Sequence, residues 1–429
     1  MTILDDEARA VEQQYLKSTF IDEICVLAID DAGDHRRQAL YAVVVPKLPL
    51  IRQKRIANIG DLLRFELEGQ SIHLPPEKRV RDYEVWFESL PRTRTGDIDR
   101  DAICRLAVAR RRAQAAGSAR AITRDANLEI DLGLDSMDRV ALFAELERRF
   151  GVRVPDDRGH EILTVGQLMN AFELSDPGLC APPFPEPWHA LLGEAPRAGG
   201  ELDVSWVLKN GGGGPATLWS VARIARAIMP RIIVTGRQQL PRNGPFILCP
   251  NHQSYLDPFF LISTLPYRLV RQMFAVGAAE YFETPLMAWL ARQCKLVPVD
   301  PDANLVGAMR AAARGLRHGK ILLLFPEGER SIDGAVKRFK KGAAILAQHG
   351  NVPMVPVAIR GTFGVWARNR SFHWRAVVPW SHHHVRVAFG SPMAYPEGAT
   401  IADATSMLQR RVELMHDALT TATAPARTR

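Results

Sequence analysis

Two compositionally odd stretches divide this chain before anything else about it can be decided. "DPGLCAPPFPEP" and "KNGGGGP" lie at the two ends of residues 176–215. Proline stiffens the first part and a glycine run loosens the last, so the interval reads as a linker. A length of 429 residues leaves room for about three domains, each with its own core. A second break is expected near 96–101, ahead of a strongly helical stretch. The expected division is therefore 1–100, 101–175, a Pro/Gly-rich linker at 176–215, and 216–429.

Patterning gives each part a fold class. In the first, "ICVLAI" and "ALYAVVVP" flank the polar "DDAGDHRRQ", which predicts two strands and a loop; "IANIGDLLRFELEG" has helical spacing and "DYEVWFESLP" reads as another strand. That is a small α+β unit. "RDAICRLAVARRRAQ" and "MDRVALFAELERRF" are amphipathic at helical period, and with "TVGQLMNAFE" they fit a small helical bundle. After 216, apolar strands ("PFILCP", "KLVPVD", "KILLLFPEG", "VPMVPVAI") alternate with helices ("PFFLISTL", "ANLVGAMRAAARGLRHG", "GAAILAQHG"). Alternation of this kind predicts an α/β layered domain with a mostly parallel sheet, in a multidomain α/β protein.

The net charge of +8 conceals an asymmetry, because residues 216–429 hold 27 Lys/Arg against 12 Asp/Glu. A basic half suits an anionic partner such as a phospholipid surface, a phosphorylated substrate or nucleic acid; a solvated face is the plainer reading. The five cysteines are scattered and lack metal-ligand spacing, which suits reduced thiols in a cytoplasmic protein. The acidic start "MTILDDEARAVEQQ" is not a signal peptide, and no apolar run reaches the ~18 residues of a spanning helix, so any membrane contact is expected to be peripheral. "LWSVARIARAIMPRIIV" could lie in a bilayer interface or simply pack on its domain, and "VKRFKKG" could meet anionic lipid or only solvent. "HHH" at 382–384 lacks carboxylate or cysteine companions and reads as an exposed loop.

Three stretches carry residue types suited to chemistry. In "PNHQSYLDP" (250–258), His252 can take a proton from a hydroxyl, and a carboxylate on its other ring nitrogen would orient it. Asp257 is the candidate, across a turn that opens a helix; five positions is about 140° on an ideal helix, so one helical face cannot hold both. The alternative is that Asp257 caps the helix with Pro258 in its first turn and His252 is a loop residue. "ILLLFPEGERS" (321–331) breaks from a strand into a turn whose amides and Arg330 guanidinium can hold a phosphate, or which is an ordinary surface turn. "VPMVPVAIRG" reads as a buried strand that can also line an acyl pocket.

Taken together, "NHQSYLDP", "FPEGERS" and "VPV" resemble, in order, the conserved blocks of the glycerolipid acyltransferases typified by 1-acylglycerol-3-phosphate acyltransferases, over about 216–400. The resemblance implies acyl transfer from a thioester to a hydroxyl, with His252 as base and Asp257 as its orienter. It implies that Glu327, Gly328, Arg330 and Ser331 bind the acceptor. The family's Gly-x-x-Pro-Val-Asp-Arg block is "KLVPVDP" here, with Lys295 at the glycine and Pro301 at the arginine, and Ala278 and Ala279 stand where many members have lysines. These departures weaken lysophosphatidate as the specific acceptor and favour a lysophospholipid with a larger head group, or another hydroxyl.

The middle part, "LGLDSMDRVALFAELERRFGV", resembles an acyl carrier protein over about 101–175, a four-helix bundle. That implies 4′-phosphopantetheine on Ser136, added by a phosphopantetheinyl transferase; on position alone Ser136 reads as a plain helix cap. "ESLPRTRTGDIDR" resembles the closing motif of adenylate-forming ligases, with Asp97 where that family has the lysine that touches the acyl phosphate. An inactive C-terminal subdomain of such a ligase is implied, so an acyl-loading ligase or adenylating subunit would be a separate partner. The expected whole is an O-acyltransferase acting on a lysophospholipid or related lipid at an anionic membrane surface, with no nucleic acid and no metal. The alternatives are a carrier and docking module for a separate ligase, or acylation of a non-glycerolipid hydroxyl.

Overall fold

The structure is a computed structural model. It describes residues 2–31, 34–54, 59–71, 74–75, 78–80, 82–115, 122–172 (without 125, 130, 131, 133, 135 and 152–161), 188, 191–192, 208, 213–228, 232–278, 289, 295–299 and 305–421 (without 332, 368–370, 379 and 382). The chain divides into two units, Met1–Phe184 and Pro185–Arg429, and the division falls inside the expected linker.

In the first unit, helix α1 (Thr2–Tyr15) precedes strands β1 (Ile21–Asp31) and β2 (Asp34–Pro46), which pair antiparallel. Helices α2 (Leu48–Gln53) and α3 (Ile59–Ser71) follow, and β3 (Asp82–Val85) then adds parallel to β2. "ICVLAI" is a continuous apolar run because both faces of β1 are covered. Ile24 and Val26 pack with Val11 and Tyr15 of α1 and Leu63 and Leu67 of α3. Cys25 and Leu27 face the other way, toward Trp86, Leu90 and helix α4 (Arg100–Ala115).

Helix α4 therefore does something the amphipathic pattern does not reveal. Its Ile103 and Ala107, one turn apart and both fully buried, close the second face of the sheet. The expected break near 96–101 is an exposed tight turn leading straight into α4, where Thr93 N–H donates to Asp97 O at 2.8 Å and Gly96 takes φ +90°. Arg100 ties the turn down, donating from Nη2 to both oxygens of the buried Glu12 at 2.7 and 2.6 Å and from Nη1 to Val26 O at 2.9 Å.

The carrier-like part has its own small core. Helix α5 (Ser136–Phe150) packs Leu142, Phe143 and Leu146 against Leu128, Ile162 and Phe172. Helix α6 (Val165–Ala171) starts with a capping box between Thr164 and Gln167. Two of the four expected bundle helices, α5 and α6, are described in this core; α4, expected in the bundle, covers the sheet instead, and the segment 152–161 lies outside the described residues. Glu129 seats this part on the strand unit by accepting the N–H groups of Ile59 and Gly60 at 3.1 and 2.9 Å, where a carboxylate meets the positive end of α3.

The second unit is a sheet of seven strands: β4 (Ile232–Thr235), β5 (Phe246–Pro250), β6 (Met273–Ala278), β7 (Leu296–Val299), β8 (Ile321–Leu323), β9 (Met354–Arg360) and β10 (Val385–Phe389). Their order is β4-β10-β9-β5-β8-β6-β7. Every neighbouring pair is parallel except β9 with β10, so the sheet is mostly parallel, as expected, with one reversal. Around it run α7 (Gly213–Ile228), α8 (Asp257–Thr264), α9 (Tyr267–Val270), α10 (Leu305–Arg317), α11 (Gly342–Gly350), α12 (Phe363–Trp366) and α13 (Ile401–Thr421).

The expected linker is not free chain throughout. Helix α7 begins within the glycine run, with Pro215 in its first turn, where the missing N–H costs nothing. Trp188, Leu191 and Leu192 are buried, and Leu191 O accepts from Arg310 Nε of α10 at 2.8 Å.

Lys295, at the family's glycine position, has φ +52°. A left-handed residue suits glycine and strains any side chain. Here the lysine is nearly buried and donates from Nζ to Arg271 O at 3.0 Å. Burial and the nearby Lys320 lower its pKa to about 8. Lys295→Gly relieves the strain while Lys295→Ala keeps it, and both lose the hydrogen bond. The glycine variant should therefore be the more stable of the two by about 1 kcal/mol in denaturant titrations.

Candidate active site

The two polar motifs meet because their strands are neighbours. β5 ends at Pro250 and β8 at Leu323, the strands run parallel in contact, and both motifs emerge at their carboxyl ends. Ligand sites of open parallel sheets collect at that edge. The third block lies on β9, on the other side of β5, with Val355 and Val357 fully buried.

Asn251 starts the loop by extending the ladder sideways: its amide donates to Ile359 O at 2.9 Å and accepts from Ile359 N–H at 2.7 Å. His252 Nδ1 then lies 2.8 Å from Asp257 Oδ2. The same oxygen accepts the N–H groups of Gln253 and Ser254 at 2.6 and 2.7 Å. Asp257 opens α8, but its carboxylate turns back into the loop, toward His252, which separates it from a plain cap. Asp257 is fully buried, and its Oδ1 has no hydrogen-bond partner. With Nδ1 taken, Nε2 is the nitrogen His252 can offer a hydroxyl. The ring stacks on Phe325, centroids 4.0 Å apart, which fixes its plane.

The second motif grips His252 by its backbone. Glu327 Oε1 accepts His252 N–H at 3.0 Å, and Ser331 N–H donates to His252 O at 2.7 Å. Both side chains are buried. Ser331 Oγ donates to Asp333 Oδ1 and accepts from Gly334 N–H, closing its own turn. Gly328 takes φ +75°, a turn in which a Cβ would press on Lys340. Arg330 lies over the ring of Tyr255, its Cζ 3.7 Å from the centroid. Gln253, which sequence reading passed over, is buried between the motifs. Its amide nitrogen donates to Gly334 O and lies 3.1 Å from His416 Nε2 of α13. No local periodicity marks Gln253 or His416, because the partners are 81 and 163 positions away.

Burial pushes the Glu327 carboxyl up to about 8, against the backbone hydrogen bonds that favour its charge. A carboxyl whose native pKa lies above its unfolded value holds a proton the unfolded chain has released. Native stability then falls as pH rises from about 5 toward 8, and Glu327→Gln, which can still accept His252 N–H, should flatten that stretch of a pH-stability curve. Burial likewise drives the Cys249 thiol up, away from the thiolate form a nucleophile needs.

Ser136 is the first residue of α5, a helix of 15 residues. A phosphodiester there meets the positive helix end, so the position fits phosphopantetheine. Its side chain, like Asp135, Glu280 and Pro301, lies outside what is described. Among the described residues, no group of three His, Cys, Asp or Glu gathers around a metal position, and His383 Nε2 donates to Gly361 O at 2.5 Å. Because a carbonyl only accepts, His383 Nε2 carries the proton. No described helix is long and apolar enough to cross a membrane.

Comparison with known proteins matches these two regions. The Acyltransferase family model covers residues 231–360, and the Phosphopantetheine attachment site model covers 111–172. The chain is 32% identical over 151 residues to the chloroplastic 1-acyl-sn-glycerol-3-phosphate acyltransferase LPAT1 of Arabidopsis thaliana. That alignment covers 34% of this chain and 40% of the relative, so the chain spans less than half the length of that protein. Among solved structures, the 1-acyl-sn-glycerophosphate acyltransferase PlsC of Thermotoga maritima matches with 23% identity and TM-score 0.42, over 49% of this chain and 81% of that one. The A-PCP didomain of carboxylic acid reductase from Segniliparus rugosus matches with 18% identity and TM-score 0.21, over 39% and 28%. Neither overlap is close enough to define the fold, which the strand order defines directly. Residues 231–360 carry an acyltransferase-family domain and residues 111–172 a phosphopantetheine-attachment domain, joined in one chain.

Proposed function

We propose that the chain is an O-acyltransferase moving a fatty acyl group from a thioester to a hydroxyl of a lysophospholipid or related lipid. The observation that carries this reading is the His252–Asp257 pair, held at 2.8 Å by a loop whose backbone the second motif clamps. Asp257 keeps the proton on Nδ1, so Nε2 accepts the hydroxyl proton as the oxygen attacks the thioester carbonyl. The C–S bond breaks, the sulfur leaves as thiolate and takes the proton back from His252, and the products are an ester and a thiol. Glu327 and Ser331 position His252, while Gly328 and Arg330 face the acceptor's head group. The sequence-based expectation gave all four to the acceptor; burial of Glu327 and Ser331 favours a positioning role for them.

Ser136 is the residue that would hold phosphopantetheine, whose thiol would supply the acyl thioester. With Asp97 at the ligase lysine, loading is assigned to a separate adenylating partner. Donor and acceptor machinery on one chain raises the donor's effective concentration if the intervening chain permits the encounter.

The test is intact-protein mass after incubation with a phosphopantetheinyl transferase, an acyl donor and a lysophospholipid mixture, with His252→Ala and Ser136→Ala alongside. Wild type should gain the arm and acyl mass, then lose the acyl to lipid. The His252 variant should stay acylated, and the Ser136 variant should never gain the arm. Acyl loss that ignores His252 would sink the reading.

A further inference from the structure

From Gly334 to Pro396 the chain has nine Lys or Arg and no Asp or Glu. Within this stretch, the connection between β9 and β10 turns three large aromatic side chains outward: Phe372 is 43% exposed, Trp374 57% and Trp380 76%. The loop bearing them is built rather than slack. Ala376 and Val365 are buried in the core, and His373 N–H donates to Val365 O at 2.9 Å. Turns close from Ala376 to His373, Val377 to Trp374 and Ser381 to Val378. Arg375 lies over the Trp374 ring, 5.5 Å from its centroid. A line of ring contacts joins the loop to the site: Phe372 on Trp366 at 5.6 Å, Trp366 on Tyr255 at 4.9 Å, and Arg330 over Tyr255.

Exposing this much aromatic surface in one rooted loop is costly in water unless something covers it. Tryptophan beside arginine, with no acid in 63 consecutive residues, is complementary to a lipid headgroup layer of negative charge. The same lack of acid disfavours a second copy of the chain, whose matching face would carry the same sign.

We propose that the β9–β10 loop seats the acyltransferase unit on an anionic phospholipid bilayer, with Phe372, Trp374 and Trp380 at the boundary between headgroups and acyl chains. This rests on the lipid acceptor proposed above, which would reach His252 from that bilayer along the Tyr255 edge. Binding is measured without turnover, so either reading can fail alone.

The experiment is co-sedimentation of the full chain with vesicles of phosphatidylcholine alone or mixed with phosphatidylglycerol, paired with tryptophan quenching by brominated lipid. Wild type should sediment with the mixed vesicles, less with the neutral ones, and be quenched. Trp374→Ser/Trp380→Ser should lower vesicle affinity by about tenfold or more and lose most of the quenching. Trp380→Ser alone, at the most exposed of the three, gives a smaller loss with the least risk to folding. Val221→Ser/Ile224→Ser, on the exposed face of α7, should leave binding unchanged. The proposal is overturned if wild type ignores both vesicles, if the tryptophan variants bind as wild type does, or if only the α7 variant loses binding. Self-association of wild type that the loop variant abolishes would give the surface to a second copy and overturn it as well.

Discussion

Asp257→Asn is expected to lower kcat by about 10³–10⁴-fold with little change in KM, close to the loss from His252→Ala. The carboxylate oxygen on His252 Nδ1 also accepts two backbone N–H groups, so it must remain an acceptor. Asparagine can place its oxygen at that one position and keep all three contacts, or place its NH₂ there, facing Nδ1 and the two N–H groups. Where NH₂ faces Nδ1, the ring proton moves to Nε2, the nitrogen that must take the hydroxyl proton. The imidazolium formed during attack also loses its buried counter-charge. Steady-state kinetics with a saturating thioester donor would read the effect. A variant within tenfold of wild type would show that the pair only shapes the loop. A structural loss would instead appear as lowered thermal stability, which the preserved oxygen should limit.

Arg100→Ala is expected to destabilise the first unit by about 3–5 kcal/mol. Glu12 is 7% exposed, and the guanidinium meets both of its oxygens while also holding Val26 O. Removing the cation leaves a buried carboxylate whose described hydrogen bond is from Val26 N–H of β1, at 2.7 Å. Removing both partners should cost far less than the single change, because the cost is that of an orphaned charge. Hydrogen exchange in β1 and β2 of the full chain, in Arg100→Ala, Glu12→Ala and the double variant, measures the coupling. Additive losses would mean the pair contributes nothing beyond packing. Arg100 closes the ligase-like motif "PRTRTGDIDR", so in this chain the motif holds α1, β1 and α4 together even though Asp97 stands at its lysine.

Much of the candidate site was legible locally. His252 and Asp257 are near in sequence, and a six-residue turn between a strand and a helix suffices to bring them together. The family blocks also marked Lys295 as a departure, and its positive φ shows why glycine is usual there: the constraint belongs to one residue's own backbone. What could not be read was each side chain's choice among distant partners. Glu327 has the composition of a ligand-binding residue, yet it is spent on an amide 75 positions away. Helix α4 has the same amphipathic period whether it joins a bundle or covers a sheet, and Ile103 and Ala107 chose the sheet.

Periodicity, turn chemistry and motif order therefore determined, without any structure, that strands and helices alternate after residue 216, that a carrier-like helix opens at Ser136, and that a histidine and an aspartate share a turn. These depend on interactions within a few positions along the chain. Only the tertiary structure decided that β8 and β9 flank β5, that β10 enters between β4 and β9 parallel to the first and antiparallel to the second, and that the second motif lands on the His252 backbone. Strand order is set by which buried faces fit across the whole sheet, and that summed packing leaves no mark at any one position.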